Sequence, residues 1–472
     1  MFGLDTTMTI LLIVCLACAL FFEFINGFHD TANAVATVIY TNTLKPGVAV
    51  IWSGLVNALG VFGILALNEK LGVANKIISI LPSPVIMSND ISVSLSIVLA
   101  ILISAIVWNL GTWYFGIPCS SSHTLIGAII GAGIGFSIVN HIDISQGVKW
   151  SEAYKIGLSL LISPMVGFSL TILTMYIFKA VIKNKRFFKE VESTKKPPFF
   201  TRLTLIATCT LVSYAHGSND GQKGMGMMML ILIGFAPAYF SINSSVSSEK
   251  MNTAIVSYAN LSPMFVQSGL NETDYVIVKK LDKDFTKLDS IVKINGVTST
   301  IATSSRFETR KIIMGINKNI DKLVKSETAP ISKDSKGKLG KVKKDLDKYV
   351  GSVPNWVKLL ISLALGLGTM IGWKRIVVTI GEKIGKQHLS YAQGASAELV
   401  AAATIQAATS LALPVSTTQV LSSGIAGSMV ASKGIKNLQK KTIKSIAMAW
   451  LLTFPVTVVL SGLLYLIFKA IF

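Results

Sequence analysis

From Met8 to Phe28 the chain is apolar, and after His29 and Asp30 it resumes as the small, apolar stretch Ala34 to Ile39, with no loop composition between. A stretch of this length is long enough to cross a bilayer, so it carries a histidine and a carboxylate to membrane depth. A charged residue there costs roughly 2.5 to 3.5 kcal/mol on insertion scales and by default marks an ion or solute pathway. Gly27, beside the pair, predicts an interrupted helix, the form in which membrane helices expose backbone groups to solutes near the midplane.

Further apolar runs follow near 48–67, 92–115, 120–138 and 156–182, then 203–240, 355–373, 391–410, 417–431 and 446–471. With 51% hydrophobic residues, only 14% charged against about 25% in soluble domains, and a mean hydropathy of +0.59, the chain reads as an all-α polytopic membrane protein. The runs divide five and five, with 8–40 and 203–240 expected to be broken and the short runs 120–138 and 417–431 open to a hairpin-like, re-entrant reading. The organisation is a first transmembrane repeat over 1–182, a basic cytoplasmic linker over 183–202 and the start of a second repeat over 203–240. A hydrophilic insertion then covers 241–353, and the second repeat resumes over 354–472. Within the insertion, Ile312, Ile313, Ile316, Ile320 and Leu323 have helical spacing.

Lysine and arginine of the short loops alternate sides. Lys45, the cluster from Lys183 to Arg202, the group Lys374 to Lys386 and the group Lys433 to Lys444 fall on one side, against Lys70, Lys76, Lys149, Lys155 and Lys469 on the other. The positive-inside rule then places both termini outside, with the two halves inverted and the insertion extracytoplasmic. The same distribution explains the net charge of +20 as span-flanking cations that meet anionic lipid, and excludes nucleic acid as a partner. Cys15, Cys18, Cys119 and Cys209 all lie in apolar context, so the CxxC spacing of the first two reads as packing rather than redox or zinc chemistry. No Lys or Arg precedes the first apolar run, which argues against a cleavable signal peptide.

The halves share more than hydropathy. NGFHDTANAVATVIYT (26–41) returns as HGSNDGQKGMG (216–226): aligning Asp30 with Asp220 puts Gly27 on Gly217, His29 on Asn219 and Asn33 on Lys223. PCSSSHTLIGAIIG (118–131) matches PVSTTQVLSSGIAG (414–427) without a gap. Two motifs in the same order in both halves mark an internal duplication, which with interrupted helices points to a transport site between repeats.

These four motifs resemble those of the Pit family of inorganic phosphate transporters, especially its bacterial low-affinity importers, over nearly the whole chain outside the insertion. The resemblance implies a secondary active transporter of the cytoplasmic (inner) membrane, not an enzyme and without a cofactor, importing inorganic phosphate by symport. It implies cation and substrate binding at Asp30, Asn33, Asn219 and Asp220, and it picks out Glu398 as a family glutamate before the second hairpin, where the first half of this chain has Asn57. Candidate partners are phosphate, protons or sodium, a divalent metal travelling with phosphate, the lipid bilayer and a second copy of the chain.

The residues suit that chemistry. Each hydroxyl triplet, Ser120, Ser121, Ser122 and Ser416, Thr417, Thr418, follows a proline and opens an apolar helix, so hydroxyl donors join the backbone N–H groups and positive dipole end that favour anions. The bland alternative is ordinary N-capping, and the duplication favours binding. Carboxylates repel phosphate, so Asp30 and Asp220 are expected to hold a coupling cation, or with His29 a metal. His29, His123 and His216 are candidates for proton handling. Sodium-driven members of the family tend to carry Asn where this chain has Lys223, so the ammonium there favours protons. Sodium coupling, and another oxyanion such as sulfate, are the alternatives within transport; an intramembrane phosphohydrolase is the alternative outside it.

Overall fold

The computed structural model describes residues 2–66, 72–82, 85, 90–191, 196–243, 246–267, 270–294, 297–298, 301–326, 328–350 and 353–472. The described residues are almost entirely helical, apart from a two-residue antiparallel pair, Lys293–Ile294 with Val297–Thr298. The helices are α1 (Thr6–Tyr40), α2 (Pro46–Ala66), α3 (Ile91–Tyr114), α4 (Ser121–Val139), α5 (Trp150–Val181), α6 (Phe199–Phe235), α7 (Ser248–Ala259), α8 (Glu272–Val292), α9 (Arg306–Lys325), α10 (Lys333–Val350), α11 (Asn355–Met370), α12 (Tyr391–Ser410), α13 (Thr417–Lys433) and α14 (Lys440–Ile471), with shorter helical turns between some of them. They form two compact units, Thr7–Ile231 with Pro354–Phe472, and Met1–Thr6 with Leu232–Val353.

In the first unit, α1–α6 and α11–α14 stand where the ten apolar runs are. By length and apolarity α1, α2, α3, α4, α5 and α14 are each sufficient to cross a membrane. The others fall short for visible reasons: α6 carries the polar repeat motif in its middle, α11 and α13 are only 16 and 17 residues long, and the 20-residue α12 is too rich in small and polar residues. In α12 and α13, Ser, Thr and Gln alternate with Ala and Gly, and most of both helices is buried.

The break expected near Gly27 is absent. α1 is one 35-residue helix, about 50 Å long at 1.5 Å per residue, and α6 likewise runs unbroken through Gly217. The interruption in the 203–240 stretch comes instead at Ala236, which leaves helical geometry ahead of Pro237, because a proline disfavours helix at the residue before it. The motif glycines serve close packing. A Cβ on Gly27 would come within 3.0 Å of Thr369 N and Gly368 Cα of α11, and one on Gly217 within 2.9 Å of Asn57 Cα of α2. The broken-helix expectation thus mistook a close backbone approach for a hinge.

Packing crosses between the two sequence halves. α4 lies along α14 and α5 along α13, while α2 lies along α11; with the glycine contacts, α1 packs on α11 and α6 on α2. The turns into the triplets also match. Gly116 (φ +64°) and Ala412 (φ +57°) adopt the same left-handed conformation at aligned positions, so alanine there tolerates a conformation disfavoured for residues with a Cβ.

The other unit is a helical assembly with its own core. Leu281, Phe285 and Leu288 of α8 meet Ile313, Ile316, Ile320 and Leu323 of α9 and Leu339, Val342 and Leu346 of α10, and Tyr258 of α7 stacks on Phe285 with ring centroids 3.9 Å apart. The isoleucines whose spacing predicted a helix are buried as that spacing requires. The buried Arg310 donates from Nη1 to Ser241 O (2.8 Å) and Val350 O (2.9 Å), tying the two ends of the insertion together; burial pulls its guanidinium pKa down to about 10.

Because the backbone atoms facing Gly27 and Gly217 have no rotamer with which to give way, Gly27→Ala and Gly217→Ala are each expected to destabilise the protein by about 1–3 kcal/mol. Gly157→Ala, where a Cβ meets nothing within 4 Å, is expected to be neutral or stabilising by up to about 1 kcal/mol. Thermal unfolding of the three variants in detergent checks the contrast.

Candidate functional site

Helical periodicity gathers the polar groups. Glu23, Asn26 and Asp30 lie three, four and seven residues apart on one face of α1, and His216, Asp220 and Lys223 do the same on α6. All six side chains are buried. Asn26 Nδ2 bridges between the helices, donating to Glu23 Oε2 (3.3 Å) and Asp220 Oδ2 (3.4 Å). His216 Nε2 stands 3.5 Å from Asp220 Oδ2 and 3.9 Å from Asp30 Oδ2, while its Nδ1 is 3.0 Å from Asn57 Oδ1.

Asp30, His216 and Asp220 each offer one donor atom, all within 4.8 Å of one another. Two carboxylates and an imidazole suit a small divalent cation. The histidine of that group is His216 and not His29, the one the sequence suggested. His29 is next to Asp30 in sequence and therefore points about 100° away around the helix. Its ring is held by Asp30 Oδ1 at Nδ1 (3.3 Å) and Thr112 Oγ1 at Nε2 (3.2 Å). The aligned Asn219 is held in a comparable way, donating to Thr409 Oγ1 (2.9 Å) and Leu413 O (3.4 Å); Thr112 and Thr409 each lie near the end of the helix that precedes a triplet.

The first two positions of each triplet do the same work in both halves, and the third differs in its partner. Ser120 and Ser416 are N-caps, accepting from His123 N and Gln419 N, each at 3.2 Å. The third hydroxyls reach the other half's motif. Thr418 Oγ1 donates to Asp30 Oδ1, and Ser122 Oγ accepts from Lys223 Nζ (2.5 Å) while donating to Val415 O (2.8 Å). The middle hydroxyls, Ser121 Oγ and Thr417 Oγ1, are buried with no hydrogen-bond partner among the described residues. An unsatisfied buried hydroxyl costs about 1–3 kcal/mol, and two at equivalent positions on the first turns of α4 and α13 are what an anion held by those helix ends would relieve.

Lys223 makes the two aspartates unequal. Its ammonium donates to Asp220 Oδ1 (2.5 Å), Ser122 Oγ (2.5 Å) and Val415 O (2.9 Å). Where Asp30 meets the opposite triplet directly, Asp220 meets it through a cation.

The remaining candidates lie apart from this cluster. His123 is partly exposed, with Nδ1 on Ser120 Oγ at 2.8 Å. Glu398 of α12 accepts from Thr208 Oγ1 (2.6 Å). The side chain of Asn33 lies outside the described residues. Sequence reasoning did not single out Asn26, although its position four residues before Asp30 placed it on the same helix face.

A profile described as the phosphate transporter family matches residues 26–461. The chain is 39% identical to the low-affinity inorganic phosphate transporter PitA of Escherichia coli K12, over 98% of this chain and 97% of the relative. It is 38% identical to a low-affinity inorganic phosphate transporter of Buchnera aphidicola subsp. Acyrthosiphon pisum, over 98% and 97%. Among solved structures it is similar to one titled the sodium-dependent phosphate transporter, with a TM-score of 0.54 at 17% identity, covering 98% of this chain and all of that one.

Removing the partner of a buried ion pair typically costs about 3–5 kcal/mol because a charge is stranded. Asp220→Asn is therefore expected to lower the unfolding temperature markedly, and adding Lys223→Met to recover most of the loss. Thermal melts of the single and double variants test this; a double variant no more stable than the single one would show that the lysine is not paired as described.

Proposed function

The chain belongs to the phosphate transporter family, and from that premise we propose that it imports inorganic phosphate by symport with protons rather than sodium. Membership makes it a membrane transporter of inorganic phosphate and not an enzyme; the coupling ion and the roles of individual residues are the proposal. Phosphate is held between the first turns of α4 and α13, where Ser121 and Thr417 supply hydroxyl donors and the helix ends supply backbone N–H groups and positive dipoles. Asp30 and Asp220 stay outside the anion's direct contacts and hold positive charge beside it. In this reading the halves are inverted repeats, with both termini and the insertion facing outside the cytoplasmic membrane.

The observation that carries the preference for protons is the Lys223 ammonium, bound to Asp220 and to Ser122. A cation already fixed at one motif aspartate occupies space and charge that a sodium ion would otherwise take. Moving a dianion inward against 100 mV costs about 4.6 kcal/mol, so at least two positive charges should accompany it. Protons meet that need, and so does a divalent metal travelling with phosphate, for which Asp30, His216 and Asp220 offer donors.

Ser121→Ala and Thr417→Ala are each expected to weaken apparent phosphate affinity by about 0.5–3 kcal/mol, the worth of one hydrogen bond to a charged ligand. Half-saturation concentrations for uptake into proteoliposomes measure this; values unchanged in both variants would reduce these hydroxyls to helix-end furniture.

The coupling is tested by uptake with and without sodium under an imposed pH gradient. An inward proton gradient is expected to drive accumulation in sodium-free buffer. Strict dependence on sodium that the gradient cannot replace would sink the proton reading.

A further inference from the structure

Glu23 is the one carboxylate of the α1 and α6 cluster with no place in the arrangement just described. It is fully buried, and no ammonium, guanidinium or imidazole nitrogen stands within ion-pair distance of it among the described residues. Its hydrogen bond is from the neutral amide of Asn26 to Oε2, and Oε1 has no partner among the described residues. α6 presses on it so closely that a Cβ on Gly224 would lie 2.5 Å from its Cδ. The charged groups acting on it are Asp220, Lys223 and His216, all on α6.

The repeat sharpens the oddity. Counting back seven residues from each motif aspartate pairs Glu23 with Ser213, which is satisfied by Ser53 Oγ at 2.8 Å. A group needed equally by both halves would be expected in both. Glu23 is a single carboxyl added to a duplicated frame.

Burying a carboxylate that has one neutral hydrogen bond and no ion-pair partner is costly, and binding a proton removes that cost. Asn26 sits between this carboxyl and Asp220, so ionising Glu23 adds a negative charge one amide away from a carboxylate already there, and the field at the phosphate-binding helix ends becomes less favourable to an anion.

We propose that Glu23 carries one of the coupling protons: it takes up H⁺ with phosphate from outside and releases it inside, the remaining charge travelling with the phosphate itself. With the proton on, the cluster is less negative and phosphate binds; with the proton lost to the cytoplasmic side, the carboxylate weakens phosphate binding and favours release. Linkage makes the effect reciprocal, so bound phosphate also favours the protonated carboxyl. This rests on the proton-symport reading above.

The test compares wild type, Glu23→Gln and Glu23→Asp in proteoliposomes. Glutamine mimics the permanently protonated carboxyl, so E23Q is expected to exchange labelled for unlabelled phosphate, which needs no net proton movement, yet to lose accumulation driven by a pH gradient. E23D, which keeps a titratable group, is expected to retain part of that accumulation. If E23Q also loses exchange, phosphate binding to the purified proteins decides: an affinity that falls as pH rises in wild type and is flat in E23Q supports the assignment. Gradient-driven accumulation by E23Q, or an equal pH dependence of binding in both proteins, overturns it. A wild-type protein that ignores the pH gradient overturns the symport reading itself, and the two failures are thereby told apart.

Discussion

The bond set of Lys223 ties the membrane unit's two halves together at its centre. Its ammonium joins Asp220 of α6 to Ser122 at the start of α4 and to Val415 O just ahead of α13. The first turns of both triplet helices are thus fixed to one motif helix by a single buried cation. A buried ion pair gains little over an apolar contact of equal volume, and its loss strands a charge.

Around that bridge the duplicated sequence does the same work twice. Ser120 and Ser416 cap, Ser122 and Thr418 reach across to the opposite motif, and Ser121 and Thr417 are left unpartnered. The equivalence extends to backbone conformation at Gly116 and Ala412 and to the close approach at Gly27 and Gly217. The departures from it carry the polarity of the site: Lys223 against Asn33, His29 against Asn219, and Glu23 against Ser213. A symmetric frame can hold an anion between its halves; coupling that anion to a cation calls for such departures, because the charge to be moved must sit somewhere definite.

The insertion solves a separate problem with ordinary means. Its helices are too polar for a bilayer, yet α8, α9 and α10 each carry an apolar stripe that closes on the others. Arg310 then spans from Ser241 O to Val350 O, so the ends of the inserted segment are held together by a buried guanidinium as well as by packing.

The sequence by itself determined the class, the ten helical segments and the pairing of motifs. These depend on composition, length and repetition, which are local properties: an apolar run near twenty residues reads as a span whatever packs against it, and two motifs in the same order twice mean duplication. It also named Asp30, Asp220, Lys223 and both triplets. Tertiary structure decided who meets whom. That His216 rather than His29 joins Asp30 and Asp220, that Asn26 links Glu23 to Asp220, and that Gly27 is a packing contact and not a hinge all depend on which face of one helix meets which face of another. Glu398, like Asp30, is a carboxylate in an apolar run, though only Asp30 lies in a motif that repeats. The fold shows what each meets, turning one toward Thr208 and the other toward the hydroxyl triplet of the second half.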